Sequence, residues 1–545
     1  MMEKTDAAAQ EIEILRQIHH LPLILRDHVN EPKREGWTSV SDPFDILKGN
    51  DAEHQKWTAQ EFNYFHDTIQ NFLFACDDKE PKAFDLYRRD DLKEIHIEID
   101  DRVHVLSVER LTLHEFKAWP RVAILTLETL HTGCKDGNSL TLADTQSLID
   151  HMRRSYVPFW NGTSPARCPV SVSLVRLDED DTETVSQYPI FGNPALEPDA
   201  AYQTIERDRC NDAPLFAHWR ALSGLRLNDG SGDCEWRDPS DERIPTMSFI
   251  ALRPRLEEQP RETMLRISEA DWVRIADAEE AGNGWPYNRE FLRGLEQRAY
   301  YDRFLPDEKQ SGDVATRHIF GGAHYSLVTV SEPGQKFDFA RDVLQRQFQR
   351  HYAQMSLCVR FEMAMLLGFS RRAAIAAAKL QSKQRDETTF AKDIVRIHRE
   401  FLIFVSRFRF TGVSSQIQGV EMFDRWRDSL GLRLLYDDVR TELDATAAYV
   451  RTEHEERRSK AADRLNLIAF AIAAIALILG VMATPLWELL MRWWGNCDLV
   501  SPNGECALSA ELTGLKYLLG IPTLLFLLFF FFLWAYRFQQ KLNAD

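Results

Sequence analysis

LNLIAFAIAAIALILGVMATPLW at residues 465–487 and YLLGIPTLLFLLFFFFLWAY at residues 517–536 decide how this chain reads. They hold 23 and 20 residues and no charged side chain. About 20 apolar residues in a helix cross the roughly 30 Å hydrocarbon layer, so each stretch is expected to span a membrane. Everything before residue 465 is polar and charged enough to form a large aqueous domain. Two helices per chain cannot enclose a path for a hydrophilic solute, so passage would need several copies around an axis.

Arg451, Arg457, Arg458, Lys460 and Arg464 precede the first stretch, and Arg537 and Lys541 follow the second. The segment between them has only Arg492 and Lys516. Basic residues stay on the cytoplasmic side, so both termini are expected there, in a bacterial inner (plasma) membrane, with residues 488–516 as an outer loop. Cys497 and Cys506 of that loop could close a disulfide in an oxidising compartment. Its Asp498, Glu505 and Glu511 would gather cations at an outer mouth if repeated around a ring, although a lone loop carboxylate is usually only solvated.

Working back from the membrane, residues 432–464 hold neither Gly nor Pro and lead straight into the first stretch. Leu435, Val439, Leu443, Ala447 and Val450 recur at helical spacing and predict a stalk helix with a packing seam. Helices are also predicted over 338–380, 388–410 and 420–430, with Gly431 as a break. Further upstream, Ile95, Ile97 and Ile99 alternate with polar residues, and 103–108, 122–130, 170–175 and 247–252 read as strands. Residues 142–156 read as a helix capped by Thr141, 57–76 as another, and about 7–19 as a third. The expected fold is α+β in layers over 1–335, a long-helix region over 336–415 and the stalk over 416–464. Two transmembrane helices and a tail at 537–545 complete it.

The net charge of -17 argues against nucleic acid as a partner, which needs a basic face. Cys76, Cys134, Cys168, Cys210, Cys234 and Cys358 show no C-x-x-C spacing and read as buried thiols. His19, His20, His104, His114, His131 and His151 show no ligand spacing and read as packed or surface histidines. No glycine-rich phosphate loop, G-x-S-x-G elbow or H-E-x-x-H sequence occurs, so no enzyme is expected.

Within the first apolar stretch, Asn466 and Thr484 are five helical turns apart and point the same way. The face between them runs through Phe470, Ala473, Leu477 and Gly480. Polar at both ends and apolar or small between, it suits the lining of a narrow pore, and equally the close packing of helices in lipid.

The layout, and above all RSKAADRLNLIAFAIAAIALILGV at residues 458–481, resembles the CorA-type magnesium channels. Residues 103–130 and 410–439 look like a divergent bacterial CorA-like branch. The resemblance implies a funnel-shaped homopentamer in the lipid bilayer that conducts metal cations, Mg2+ first, through a pore lined by the first span. It also implies cytosolic domains gated by a regulatory Mg2+. The Gly-Met-Asn signature of that family is missing, for the chain reads Val481-Met482-Ala483-Thr484-Pro485 there. The alternative expectation is a ligand-gated membrane effector that senses a cytosolic signal molecule, and a third is a membrane-anchored scaffold.

Overall fold

The computed structural model describes residues 10–43, 59–75, 81–156, 168–178, 180, 182–190, 215–228, 234–239, 241, 243–282, 287–304, 314–381 and 387–483, with side chains as far as 476. The chain divides into two compact units, residues 1–448 and 449–545.

The first unit is built on one mixed sheet. Its strands are β1 (Ile12–Leu25), β2 (Thr38–Val40), β3 (Phe84–Arg88), β4 (Leu92–Ile99), β5 (Arg102–Phe116) and β6 (Val122–Cys134), then β7 (Ser171–Leu177), β8 (Glu183–Pro189) and β9 (Trp236–Arg237). β10 (Thr246–Leu252), β11 (Tyr300–Phe304), β12 (Thr316–Gly321) and β13 (His324–Val330) complete it. The main path runs β11-β12-β13-β10-β1-β6-β5-β4-β7-β8. Among the described residues, β10 and β13 pair in parallel and the other pairings are antiparallel.

β1 corrects the helix expected over about 7–19. It is a central strand buried on both faces, so its sequence IEILRQIHHLPLIL is apolar nearly throughout and lacks the alternation that marks a half-buried strand. Pro22 is tolerated because β10 pairs β1 only as far as His19 and β9 begins at Ile24. Between them no strand needs the missing N–H.

The two faces of β1 pack differently. Leu15, Leu21, Leu23 and Leu25 join the main core with Leu148, Trp219 and Val273 from the short helices. Those helices are α2 (Leu142–Met152), α3 (Ala217–Ser223), α4 (Pro260–Arg266), α5 (Glu269–Asp277) and α6 (Arg289–Ala299), whereas α1 (Asp67–Phe74), earlier in the chain, packs its Phe72 against Phe361, Phe408 and Phe410. The opposite face meets the long helix α7 (Ala353–Gln381), which is preceded by two π-helical turns, Ala340–Leu344 and Phe348–Tyr352. Gly368 permits the closest approach, because a Cβ there would lie 2.6 Å from Pro120 Cγ and 3.6 Å from Ile24 Cδ1.

α8 (Glu387–Arg407) and α9 (Ile417–Ser429) follow, and Gly431, at φ +63°, lets the chain turn into α10 (Leu432–Ala483). The seam predicted for α10 packs within the first unit: Val439 and Leu443 are buried, and Tyr436 stacks on Phe401 at 5.9 Å.

Among the described residues, no helix is long and apolar enough to cross a membrane. This corrects the expectation of two C-terminal transmembrane helices, and with it the funnel, the channel and the inner-membrane location. The reason lies in α10. Charge persists along it to Arg464, over most of its length. Residues 517–536 lie outside the described residues.

Candidate metal centre

The outer ends of β5 and β6 bring together two histidines and a cysteine that look unrelated in sequence. His104 lies directly opposite Cys134, and Val105 opposite Gly133, but Leu106 lies opposite His131, so Thr132 is an extra residue. In a regular strand, residues three apart point to opposite faces. The bulge at Thr132 cancels that offset and turns His131 and Cys134 to the same side. Leu106 shares this side, which belongs to the main core beneath α2.

Cys134 Sγ lies 3.4 Å from His104 Nδ1 and 3.7 Å from His131 Nε2. One ligand atom from each residue falls within 4.8 Å of the others. A tetrahedral zinc ion with bonds of about 2.3 Å to sulfur and 2.0–2.1 Å to nitrogen sets its S···N edges at about 3.6 Å. The two observed S···N separations bracket that edge. His104 is buried, and His131 and Cys134 are partly exposed, so an ion has a way in.

Protonation favours capture. Burial is the main cause that lowers the pKa of His104 and holds His131 down at about 4, so both rings keep a lone pair at neutral pH. Burial also raises the Cys134 thiol, while the Arg102 guanidinium beside it pulls the other way. Arg102 is itself held by Asp136 at 3.1 Å and by Asp144 at 2.6 Å.

Asp144 is fixed by the start of α2. Its backbone N–H donates to the Thr141 hydroxyl at 3.1 Å, and its carboxylate accepts from the Thr141 backbone N–H at 2.9 Å, a capping box. Thr141→Ala is expected to cost about 1 kcal/mol. A lower urea midpoint at unchanged slope would record it, and an unchanged midpoint would contradict it.

Asn466, Phe470 and Ala473 lie exposed on α10, and Leu477 and Gly480 continue that helix. Thr484, Cys497, Asp498, Glu505, Cys506 and Glu511 lie outside the described residues. Of the six histidines read as packed or surface groups, His104 and His131 meet at Cys134, while His19, His20 and His114 are held neutral by burial elsewhere in the sheet. Cys168, Cys234 and Cys358 are buried as expected, whereas Cys134 is only partly buried. The signal available in the sequence was His131-x-x-Cys134 with Gly133 inside it, one strand after His104.

No protein-family model matches the chain, and no curated protein matches it. Among solved structures, that of the full-length CmaX protein is similar over 53% of this chain and 89% of its own, at 10% identity and a TM-score of 0.18. A likeness at that score carries no argument.

Proposed function

We propose that this protein binds a divalent transition-metal ion, zinc in the first instance, through His104, His131 and Cys134, and that the bound ion regulates the sheet domain. The observation that carries the reading is the convergence of one sulfur and two imidazole nitrogens at separations suited to a tetrahedral ion. Sulfur and imidazole favour zinc or copper, whereas Mg2+ takes oxygen ligands, so a softer ion replaces the regulatory Mg2+ expected from the sequence. Three protein ligands leave a fourth position for water or an outside donor. Ligation ties the ends of β5 and β6 to each other beside α2.

The test is a zinc titration of the metal-free protein, followed by calorimetry in buffers of different ionisation heat. One ion per chain and release of about one proton are expected, because the thiol must deprotonate. The sign of the pH dependence follows from the same groups. Below the raised thiol pKa, each unit of pH gained strengthens binding about tenfold, since a proton no longer competes for Cys134. Near pH 4 the slope steepens, because His131 then begins to hold its own proton. Loss of zinc on simple gel filtration, or binding independent of pH, would overturn the proposal.

A further inference from the structure

A second site is built from arginines on four elements of the first unit. Two adjoining cavities, of about 240 and 120 Å³, share Asp27, Arg372 and Ile375. Arg26 follows the end of β1, Arg237 belongs to β9, Arg371 and Arg372 to α7, and Arg396 to α8, and all five line this cleft. Among the described residues, two acidic side chains, Asp27 and Asp393, share the lining with these five arginines, on a chain whose net charge is -17. Such a gathering of guanidinium groups suits an anion.

The arginines are also ordered before any ligand arrives. The guanidinium carbons of Arg372 and Arg396 lie 4.4 and 4.9 Å from the centroid of the Trp119 ring. Arg372 is further paired with Asp27. Stacking occupies the flat face of a guanidinium and leaves its N–H edge for hydrogen bonds, and that edge matches two oxygens of a phosphate. Ile24, Ile375 and Ile397 give the cleft apolar walls, which strengthen charge interactions by excluding water.

The geometry points to this cleft as a binding site for a small oligophosphate, free or carried by a nucleotide. A chain of two or three phosphates reaches guanidinium groups in both adjoining cavities, whereas one phosphate meets only those nearest it. The site is separate from the metal centre and does not depend on it.

The experiment is calorimetric titration of the full-length protein with inorganic triphosphate, ATP, adenosine and orthophosphate at low ionic strength. Triphosphate and ATP are expected to bind one per chain, orthophosphate about tenfold or more weakly, and adenosine not at all. Binding should weaken as salt rises. ATP tighter than triphosphate means that the nucleoside is also held; equal affinities mean that the phosphates alone are read, and both support the site. Arg371 and Arg396 are exposed, so Arg371→Glu with Arg396→Glu should leave the melting curve in place while lowering triphosphate affinity about tenfold or more. Arg371→Gln with Arg396→Gln, which removes charge without reversing it, should fall between. The inference is overturned if neither polyphosphate binds saturably, or if both double variants bind triphosphate like the parent chain.

Discussion

Cys134→Ser is expected to weaken zinc binding about a hundredfold, and His131→Ala by a similar factor. Zinc held by four ligands in small peptides contributes about 10–16 kcal/mol, or roughly 3 kcal/mol per ligand, and that is about two orders of magnitude in affinity. Competition against a chromophoric chelator measures the loss directly. Cobalt substitution adds a signature that a merely structural role would not move. The parent chain should show a thiolate-to-cobalt charge-transfer band, Cys134→Ser should lack it, and His131→Ala should keep it with weaker binding. The metal-free melting curves should change little, since the His131 and Cys134 side chains are only partly buried. Should Cys134→Ser keep full affinity and the same cobalt spectrum, the ion sits elsewhere.

The bulge explains why this centre was hidden while much of the sheet was legible. β4 announces itself through Ile95, Ile97 and Ile99, because one face is buried and the period of two survives in the sequence. The cap of α2 at Thr141 was equally legible, since its chemistry is local. β1 was not, for burial on both faces erases the alternation. The pair His131 and Cys134 is worse than silent, because their spacing in a regular strand would place them apart. Only the inserted Thr132 reverses that, and a bulge is decided by pairing with β5 rather than by the residues themselves. The basic cleft escaped for a different reason. Its arginines are drawn from residues 26, 237, 371, 372 and 396, and only Arg371-Arg372 are neighbours in the chain. For the terminal apolar stretches, composition implied a membrane anchor, whereas among the described residues no helix is long and apolar enough to cross a membrane, and residues 517–536 lie outside them.

Glu128→Ala is expected to destabilise the first unit by about 3–5 kcal/mol, the cost of leaving buried cations without their counterion. Glu128 sits in β6 with its side chain almost fully buried. It receives Arg16 at 2.8 Å, Arg110 at 3.0 Å and the Gln349 amide, from the second π-helical turn, at 2.7 Å. One carboxylate thus ties β1, β5 and β6 to the helical layer, and two guanidinium groups lose their nearest anion when it goes, Arg16 keeping only Glu109 at 3.9 Å. At about 2 cal/mol/K of unfolding entropy per residue, a unit of this size should melt roughly 5 °C lower. The pH dependence separates charge from packing. Burial raises the Glu128 pKa, but Arg110, Arg16 and the Gln349 and Arg16 hydrogen bonds outweigh it, so the folded value lies below the unfolded one. The stabilisation is therefore complete above the unfolded pKa and disappears as pH falls through the folded one. Glu128→Gln keeps the shape and one accepting oxygen but has no charge to lose. Its deficit against the parent chain should be largest near neutral pH and shrink in acid, as the parent's own carboxyl takes up its proton. A deficit that stays constant from neutral pH into acid would show that Glu128 acts through packing rather than through its charge.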